Sequence, residues 1–307
     1  MQQAMGSRRT KTWVVLVAST VALVSASGAD AAQKIPVLTR KHVGEYQPAR
    51  GNGHLAWEQN TKARPNHFNV YARVDGGKPF RVNARGTQGA MGGIEGNLIV
   101  YQQFEGSRSD IKFFNLKTRK RHNPKVYVNT RKWEYWPSIS GNWILFGRRN
   151  SRATRRTVVL FNRATLSVRV IDRTTTAKSF ISPGQVNGDY VVWHRCRPVP
   201  NCDVYRYNIS TRLTHRIPNP NNLSQHAASV TANGTIYFAR GGKRCGHNVR
   251  LMRYPVGGPA RRLARMAKGR DAGDSFALTD ASNATHFFFE QNRCGRLIGS
   301  DIFKIVD

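Results

Sequence analysis

Apolar residues along this chain occur in short bursts that return at a nearly constant distance. Each burst is rich in aromatic and β-branched residues and is bounded by Gly, Asn, Asp or Pro. Runs of this kind predict short β-strands. The clearest six read HLAWEQ from His54, NLIVYQQ from Asn97, NWILFGR from Asn142, DYVVWHR from Asp189, TIYFAR from Thr235 and THFFFEQ from Thr285.

The distance between these six bursts predicts the architecture. Measured from the small residue before each burst, the steps are 43, 45, 47, 46 and 50 residues. Self-similarity at about 40–50 residues with strand-like patterning is typical of β-propellers that have one four-stranded blade per repeat. The sequence therefore predicts an all-β, six-bladed propeller.

The third repeat illustrates how a blade divides into four strands. Its predicted strands cover 136–140, 142–148, 157–162 and 167–172. The second strand of each repeat is apolar on both faces, as expected of a strand that packs between two neighbouring blades. Third strands show cleaner alternation, which predicts a position nearer the rim.

The predicted propeller spans residues 32–307, and its last blade is one strand short. The blades are predicted at 44–85, 86–130, 131–175, 176–222, 223–270 and 271–307. An orphan segment, Lys34 to Arg40, resembles the fourth strands of other repeats. Pairing this segment with Ser300 to Val306 would complete the sixth blade with residues 33–40 and close the ring.

Residues 1–31 predict a signal peptide for export. A basic start with Arg8, Arg9 and Lys11 precedes an apolar stretch, and Ala29-Asp30-Ala31 places small residues before a cut after Ala31. A retained membrane anchor is the alternative, although the apolar stretch is shorter than the roughly 20 residues that span a bilayer. We therefore expect a secreted, periplasmic or cell-envelope protein that does not span the membrane after signal cleavage.

The order of elements within each repeat resembles the TolB-like propeller repeats, which are also called WD40-like or PD40 repeats. Pro137 to Asn142 (PSISGN) matches the turn between the first and second strands of those repeats. Asp203 to Tyr207 (DVYRY) and Asp301 to Phe303 (DIF) match their third strands. The resemblance implies the six-bladed propeller fold. It covers the propeller alone, so no role in the Tol/Pal envelope system is carried over.

Four cysteines in a chain expected to be exported predict two disulfides, for which three connectivities exist. All four are predicted in loops between second and third strands, on one face of the ring. Cys196 and Cys202 fall within one such loop, whereas Cys245 and Cys294 fall in matching loops of neighbouring blades. This placement favours the pairs Cys196–Cys202 and Cys245–Cys294. A metal site is the alternative, but the chain has no Cys-x-x-Cys spacing.

The charge of the chain predicts affinity for anions. It has 49 Lys and Arg against 17 Asp and Glu, a net charge of +32, and such a field attracts polyanions in a salt-dependent way. Basic residues concentrate in the predicted loops between second and third strands. The proposed binding residues are Arg148, Arg149, Arg152, Arg155, Arg156, Arg195, Arg197, Lys243, Arg244 and Arg296.

Two interpretations of this basic face remain open. It binds an envelope protein or an anionic polymer, such as a cell-wall polymer, an acidic polysaccharide or nucleic acid, or it is a solvated surface. Trp133, Tyr135 and Trp136 lie nearby in the sequence, and they are predicted to line the blade core rather than to stack on a ligand.

No catalytic residue, metal ligand or cofactor is assigned from the sequence, and a monomeric binding protein is expected. His226, Asp271 and Asp274 are the group that would hold a metal at the channel mouth if they cluster. A secreted lyase or hydrolase that acts on an acidic polysaccharide there is the alternative function. Gly92-Gly93 is interpreted as a turn and His194 as a loop residue beside a cysteine.

Overall fold

A computed structural model describes residues 35–38, 43–61, 63–106, 108–124, 128–198, 200–242, 244–279, 285–294 and 300–307. The chain divides into two units, Met1–Asp30 and Ala31–Asp307, and every described residue belongs to the second. All regular elements in these ranges are strands, which confirms the predicted all-β class. Among the described residues, no helix is long and apolar enough to cross a membrane.

Across the described ranges, twenty-four strands form six four-stranded sheets, which correspond to the six predicted blades. The first blade contains β2 (Val43–Gly51), β3 (His54–Thr61), β4 (Arg64–Arg73) and β5 (Phe80–Arg81). The second contains β6 (Gln88–Glu95), β7 (Leu98–Glu105), β8 (Arg108–Asn115) and β9 (Arg121–His122). The third contains β10 (Trp133–Ser140), β11 (Trp143–Arg149), β12 (Arg156–Asn162) and β13 (Val168–Thr174).

The remaining three blades follow the same order. The fourth contains β14 (Phe180–Asn187), β15 (Tyr190–Cys196), β16 (Cys202–Asn208) and β17 (Thr214–Arg216). The fifth contains β18 (Ser224–Val230), β19 (Ile236–Gly241), β20 (Arg250–Tyr254) and β21 (Arg261–Arg265). The sixth contains β22 (Arg270–Thr279), β23 (Thr285–Arg293), β24 (Asp301–Val306) and β1 (Ile35–Leu38).

The sixth blade combines the two ends of the propeller. Its sheet order is β1-β24-β23-β22, and β1 runs antiparallel to β24 with Ile35 opposite Lys304 and Leu38 opposite Ile302. The segment expected to pair there was Lys34 to Arg40, of which residues 34, 39 and 40 lie outside the described residues. The backbone groups of β24 therefore have strand partners on both sides.

The hydrophobic core is divided among the blade interfaces. Six clusters of buried side chains occur in the described residues, and each joins two neighbouring blades. Between the sixth and first blades, Leu38 of β1 packs with Leu55 and Trp57 of β3 and with Ile302 of β24. Second strands supply both of their faces to these clusters, which explains their continuous apolar runs.

Candidate functional site

The strand of each blade that lies innermost in the ring (β2, β6, β10, β14, β18 or β22) contains one β-bulge at an equivalent place. The register shifts fall between Tyr46 and Ala49, Met91 and Gly93, Tyr135 and Ser138, Pro183 and Val186, His226 and Ser229, and Ala272 and Ser275. Residues at these bulges line a central cavity of about 40 Å³. A volume of this size holds at most a few water molecules, so the channel is narrow at its centre.

Backbone conformation at the bulges alternates around the ring. The first, third and fifth blades place a non-glycine residue in the left-handed region, at Gln47 (φ 46°), Trp136 (φ 46°) and Ala227 (φ 51°). In the second and fourth blades, a Cβ on Gly92 or on Gly184 would come within 2.5 Å of the carbonyl oxygen of the next blade's bulge. The interpretation of Gly92-Gly93 as a turn is therefore wrong, because both residues lie within β6 and allow adjacent inner strands to approach.

The channel widens on both sides of its centre, and the cavity of about 330 Å³ on one side is here called the channel mouth. It opens on the side of the ring that carries the loops between second and third strands, here called the loop-bearing face. Its side chains include the aromatic residues Tyr46, Phe68, Trp136 and Phe180, and the polar residues Glu58, His194, His226, Glu290 and Asn292.

An aromatic wall forms one side of the mouth. The ring of Phe180 lies 5.9 Å from that of Trp136 and 6.1 Å from that of His194. The prediction that Trp136 lines the blade core is wrong, since the positive φ at the bulge aims its side chain into the mouth instead. Tyr135 is buried as predicted, and its hydroxyl donates to the carbonyl oxygen of Ile181 at 3.1 Å.

His226 and Asp271 form a close titratable contact at the mouth. The Nε2 atom of His226 lies 3.0 Å from the Oδ1 atom of Asp271, and both side chains are about one fifth exposed. Burial opposes ionisation of Asp271, but hydrogen bonds from His226 and from the backbone N–H groups of Ala272 and Gly246 outweigh it. The net result is that the pKa of Asp271 is lowered. Asp271 is therefore a carboxylate at neutral pH.

His194 also lines the channel mouth, close enough to His226 for a charge on that residue to affect the pKa of His194. Burial, reinforced by the charge of His226, lowers the pKa of His194 to about 3. The interpretation of His194 as a loop residue is wrong, because it lies within β15 and at the mouth. With so low a pKa, the imidazole of His194 is a weak base and remains a neutral hydrogen-bonding group at neutral pH.

Buried carboxyl groups line the other half of the mouth. Glu58 and Glu290 are 7% and 4% exposed, and both lie close enough to the hydroxyl group of Tyr46 to affect its pKa. Burial raises the pKa of that hydroxyl, hydrogen bonds with Ser300 and Asn60 oppose the rise, and the two carboxylates add to it. The mouth thus contains buried carboxyl groups, whereas the loops that surround it carry exposed arginines.

The candidate metal group is only partly described. His226 and Asp271 are in contact, whereas the side chain of Asp274 lies outside the described residues. Where side chains are described, one group of three metal-binding types is clustered, namely Cys245, Asp271 and Cys294. Its two sulfur atoms are bonded to each other, so thiolate ligands are not available there.

Two disulfides join the four cysteines in the favoured pairs. Cys196 is the last residue of β15 and Cys202 the first of β16. They are directly opposed and six residues apart in the sequence. Cys245 and Cys294 are 49 residues apart and link the fifth blade to the sixth. This second bond reaches to within 4.8 Å of the carboxylate of Asp271 and so lies beside the channel mouth.

Several of the predicted binding arginines are engaged in the structure of the blades. Arg148 donates from Nε to buried Glu134 at 2.8 Å and from Nη2 to the carbonyl oxygen of Val128 at 3.0 Å. Arg195 pairs with Asp172 at 3.0 Å. Arg148 and Arg195 of the proposed binding set therefore already have carboxylate partners within the propeller.

Two more of these arginines stack on aromatic rings. The guanidinium carbon of Arg149 lies 4.2 Å from the ring centre of Trp133, and that of Arg156 lies 5.3 Å from the ring centre of Phe180. Arg149 and Arg156 are also directly opposed across β11 and β12. Burial lowers the pKa of Arg149, and the neighbouring charge of Arg156 lowers it further.

Arg152, Arg155, Arg197 and Arg244 are the exposed members of the predicted set. They lie in the loops after β11, β15 and β19, which the sheet topology brings to the loop-bearing face. Within the described parts of the chain, none of the four forms an ion pair. Lys243 and Arg296 of the same prediction lie outside the described residues.

The comparisons with known proteins agree on the fold. TolB from Acinetobacter baumannii has a TM-score of 0.56 and 14% identity to this chain, over 83% of this chain and 64% of its own. A protein assigned as TolB from Agrobacterium tumefaciens has a TM-score of 0.58 and 11% identity, over 86% of this chain and 90% of its own. The chain has a TolB-like six-bladed propeller fold.

A third similar structure comes from a different class of protein. The β-propeller domain of the Trilobed protease from Pyrococcus furiosus has a TM-score of 0.51 and 12% identity, over 86% of this chain and 93% of its own. No protein-family model matches this chain, and no curated protein matches it in sequence. At these identities the structural likeness establishes the fold and leaves the function to the residues of the site.

Proposed function

We propose that this chain is an exported, non-enzymatic propeller that binds an anionic polymer or an acidic envelope protein through its loop-bearing face. The supporting observation is that Arg152, Arg155, Arg197 and Arg244 are exposed on loops of this one face and form no ion pair among the described residues. Unneutralised guanidinium groups pair with carboxylates and phosphates and draw such partners by long-range attraction.

Export is part of the same proposal. Two disulfides are typical of proteins that fold in an oxidising compartment, and the first 31 residues have the pattern of a signal peptide. In such a compartment the anions within reach are envelope polymers, acidic polysaccharides and acidic protein surfaces.

Salt dependence and matched charge changes test the binding proposal. Heparin serves as the probe, and its affinity for the wild-type protein should fall steadily as NaCl rises. Changing Arg152, Arg155, Arg197 and Arg244 together to Gln should weaken binding at least about tenfold and flatten the salt dependence.

A second set of four changes provides the control. Lys78, Lys117, Lys120 and Arg261 are exposed at the opposite end of the blades, so their replacement by Gln removes the same charge elsewhere. If both quadruple variants lose affinity equally, binding reflects overall charge and the proposed face is wrong.

The channel mouth supports a second candidate function, a lyase or hydrolase that acts on an acidic polysaccharide. The observation in its favour is that His194 and the His226–Asp271 contact lie at one cavity of about 330 Å³, where several polar side chains face the same space. Incubation with polygalacturonate tests it by the appearance of shortened or unsaturated products. Activity that disappears in His194→Ala would favour the enzyme, and unchanged polymer would remove it for this substrate.

A further inference from the structure

Three arginines form a row across the fifth blade at its loop-bearing end. Arg240 of β19 is directly opposite Arg250 of β20, which in turn is opposite Arg265 of β21. Directly opposed residues project from the same side of a sheet, and like charges in such positions repel each other. None of the three forms an ion pair with a carboxylate among the described residues.

The first arginine of this row is held in place. The guanidinium carbon of Arg240 lies 5.2 Å from the ring centre of Phe238, and its Nη2 atom donates to the carbonyl oxygen of Pro218 at 2.7 Å. Its Nε atom is buried and has no hydrogen-bond partner among the described residues. Burial lowers the pKa of Arg240, and the charge of Arg250 lowers it further. The contacts of Arg240 therefore hold its charge next to that of Arg250, and the two charges repel each other in the folded blade.

A cavity of about 530 Å³ lies beside the other two arginines. Two buried apolar residues, Val249 and Met266, contribute to it, and its basic residues are Arg250, Arg265 and Lys268. Among the described residues, no Asp or Glu lines it. The cavity therefore has the size and the charge of a site for a small organic anion.

We propose that this cavity binds the phosphate ester group of a ligand, with Arg250 and Arg265 as its principal contacts. A phosphate monoester carries a charge of about −1.5 to −2, which matches several converging cations better than one carboxylate does. Its oxygen atoms also accept paired hydrogen bonds from a guanidinium group. The inference rests on the proposed anion-binding function of the loop-bearing face and narrows it to one cavity and one chemical group.

Two ligands with the same sugar ring test the proposal by calorimetry. Glucose 1-phosphate should bind the full-length protein at a single saturable site, and glucuronate should bind at least about tenfold more weakly. The double variant Arg250→Gln/Arg265→Gln should lose at least about tenfold in affinity for glucose 1-phosphate. The matched variant Arg261→Gln/Arg262→Gln removes two exposed charges from the same blade and should bind as the wild type does.

Thermal melting separates a binding defect from a folding defect. Without ligand, Arg250→Gln should melt at the same temperature as the wild type or higher, because it relieves the like-charge repulsion. Glucose 1-phosphate should raise the melting temperature of the wild type and of Arg261→Gln/Arg262→Gln, but not that of Arg250→Gln/Arg265→Gln. A large decrease in the ligand-free variant would show that Arg250 has a structural role and would overturn the argument from repulsion.

The outcomes distinguish this site from the wider face. No binding of glucose 1-phosphate, equal binding by Arg250→Gln/Arg265→Gln, or equal affinity for glucuronate would overturn the phosphate site. Heparin binding that weakens in the quadruple loop variant would leave the proposed function standing in each of those cases. Failure of the wild type to bind heparin would remove the proposed function, while saturable binding of glucose 1-phosphate would still support the cavity as a site.

Discussion

Asp271 and His226 join two inner strands of the ring, since their Oδ1 and Nε2 atoms lie 3.0 Å apart across the boundary between the sixth and fifth blades. The backbone N–H of Gly246 donates to the same carboxylate, and the neighbouring Cys245 is bonded to Cys294. Hydrogen bonds to a carboxylate and a covalent link therefore reinforce the same interface, next to the channel mouth.

Replacing Asp271 by Asn tests the contribution of the Asp271 carboxylate. At neutral pH the variant should be less stable by about 1–2 kcal/mol, because Asn keeps the shape and loses the charge-assisted hydrogen bonds. The lowered pKa of Asp271 means that its contribution is present above the ordinary aspartate pKa of about 3.9 and is lost as pH falls through the lower folded value. Urea unfolding at neutral pH and near pH ~3 should show the difference shrinking.

Asp75 offers a matched control for that experiment. Its carboxylate lies 3.5 Å from the Nδ1 atom of His54, but its side chain is 71% exposed. Because exposed ion pairs contribute little, Asp75→Asn should change stability by less than about 0.5 kcal/mol. Equal losses in the two variants, or a pH-independent loss in Asp271→Asn, would argue against an ionic role at the blade boundary.

The neutral state of His194 predicts a second pH effect. With its folded pKa lowered to about 3, His194 takes up a proton in the unfolded chain but not in the folded one as pH falls below about 6.5. Folding stability should therefore decrease on acidification, by up to about 1.4 kcal/mol per pH unit, and His194→Gln should reduce this slope. NMR titration of the imidazole proton gives a direct reading, and a midpoint near that of a free histidine peptide would contradict the assignment.

The two disulfides should differ in their effect on stability. Loop-closure entropy grows with the separation of the bonded residues, so a separation of 49 residues gives about 4 kcal/mol and one of 6 gives about 2 kcal/mol. Replacing Cys245 and Cys294 by Ser should lower the denaturation midpoint more than replacing Cys196 and Cys202. A larger effect from the short loop would indicate that native contacts, rather than the unfolded chain, set the contribution.

The number of blades and the all-β fold class were predictable from the sequence, because each apolar burst marks a strand that packs between two blades. The inner strand of the third blade was predicted too short, since β10 begins at Trp133 rather than residue 136. The missing residues lie at or before the bulge, where the register shifts between Tyr135 and Ser138. A bulge also shifts the period of two that identifies a strand.

The sequence could not separate the exposed arginines from those with carboxylate partners, for a related reason. Sequence position placed Arg148 and Arg152 equally on the loop-bearing face, yet Arg148 is bound by Glu134, which lies 14 residues away on another strand. Pairing of this kind depends on strand register, and composition does not reveal it. The row of Arg240, Arg250 and Arg265 was hidden likewise, because only the register brings residues from three strands into line.

The pairing of β1 with β24 leads to the prediction with the widest consequence for the ring. Leu38 is 6% exposed and packs with Leu55 and Trp57 of the first blade, so Leu38→Ala should lower stability by about 2–5 kcal/mol. Leu213 is 70% exposed, and Leu213→Ala should change stability by less than about 0.5 kcal/mol. Urea unfolding of the two variants provides the comparison.

Deletion of residues 33–40 extends the same argument from one side chain to a whole strand. It removes the contacts of Leu38 and also leaves the outer backbone groups of β24 without a strand partner. An open edge of this kind pairs with other chains, so the deleted protein should both melt at a lower temperature and form concentration-dependent oligomers. An unchanged melting temperature together with a monomeric elution profile would mean that the ring is held by the blade interfaces alone and that β1 contributes little to it.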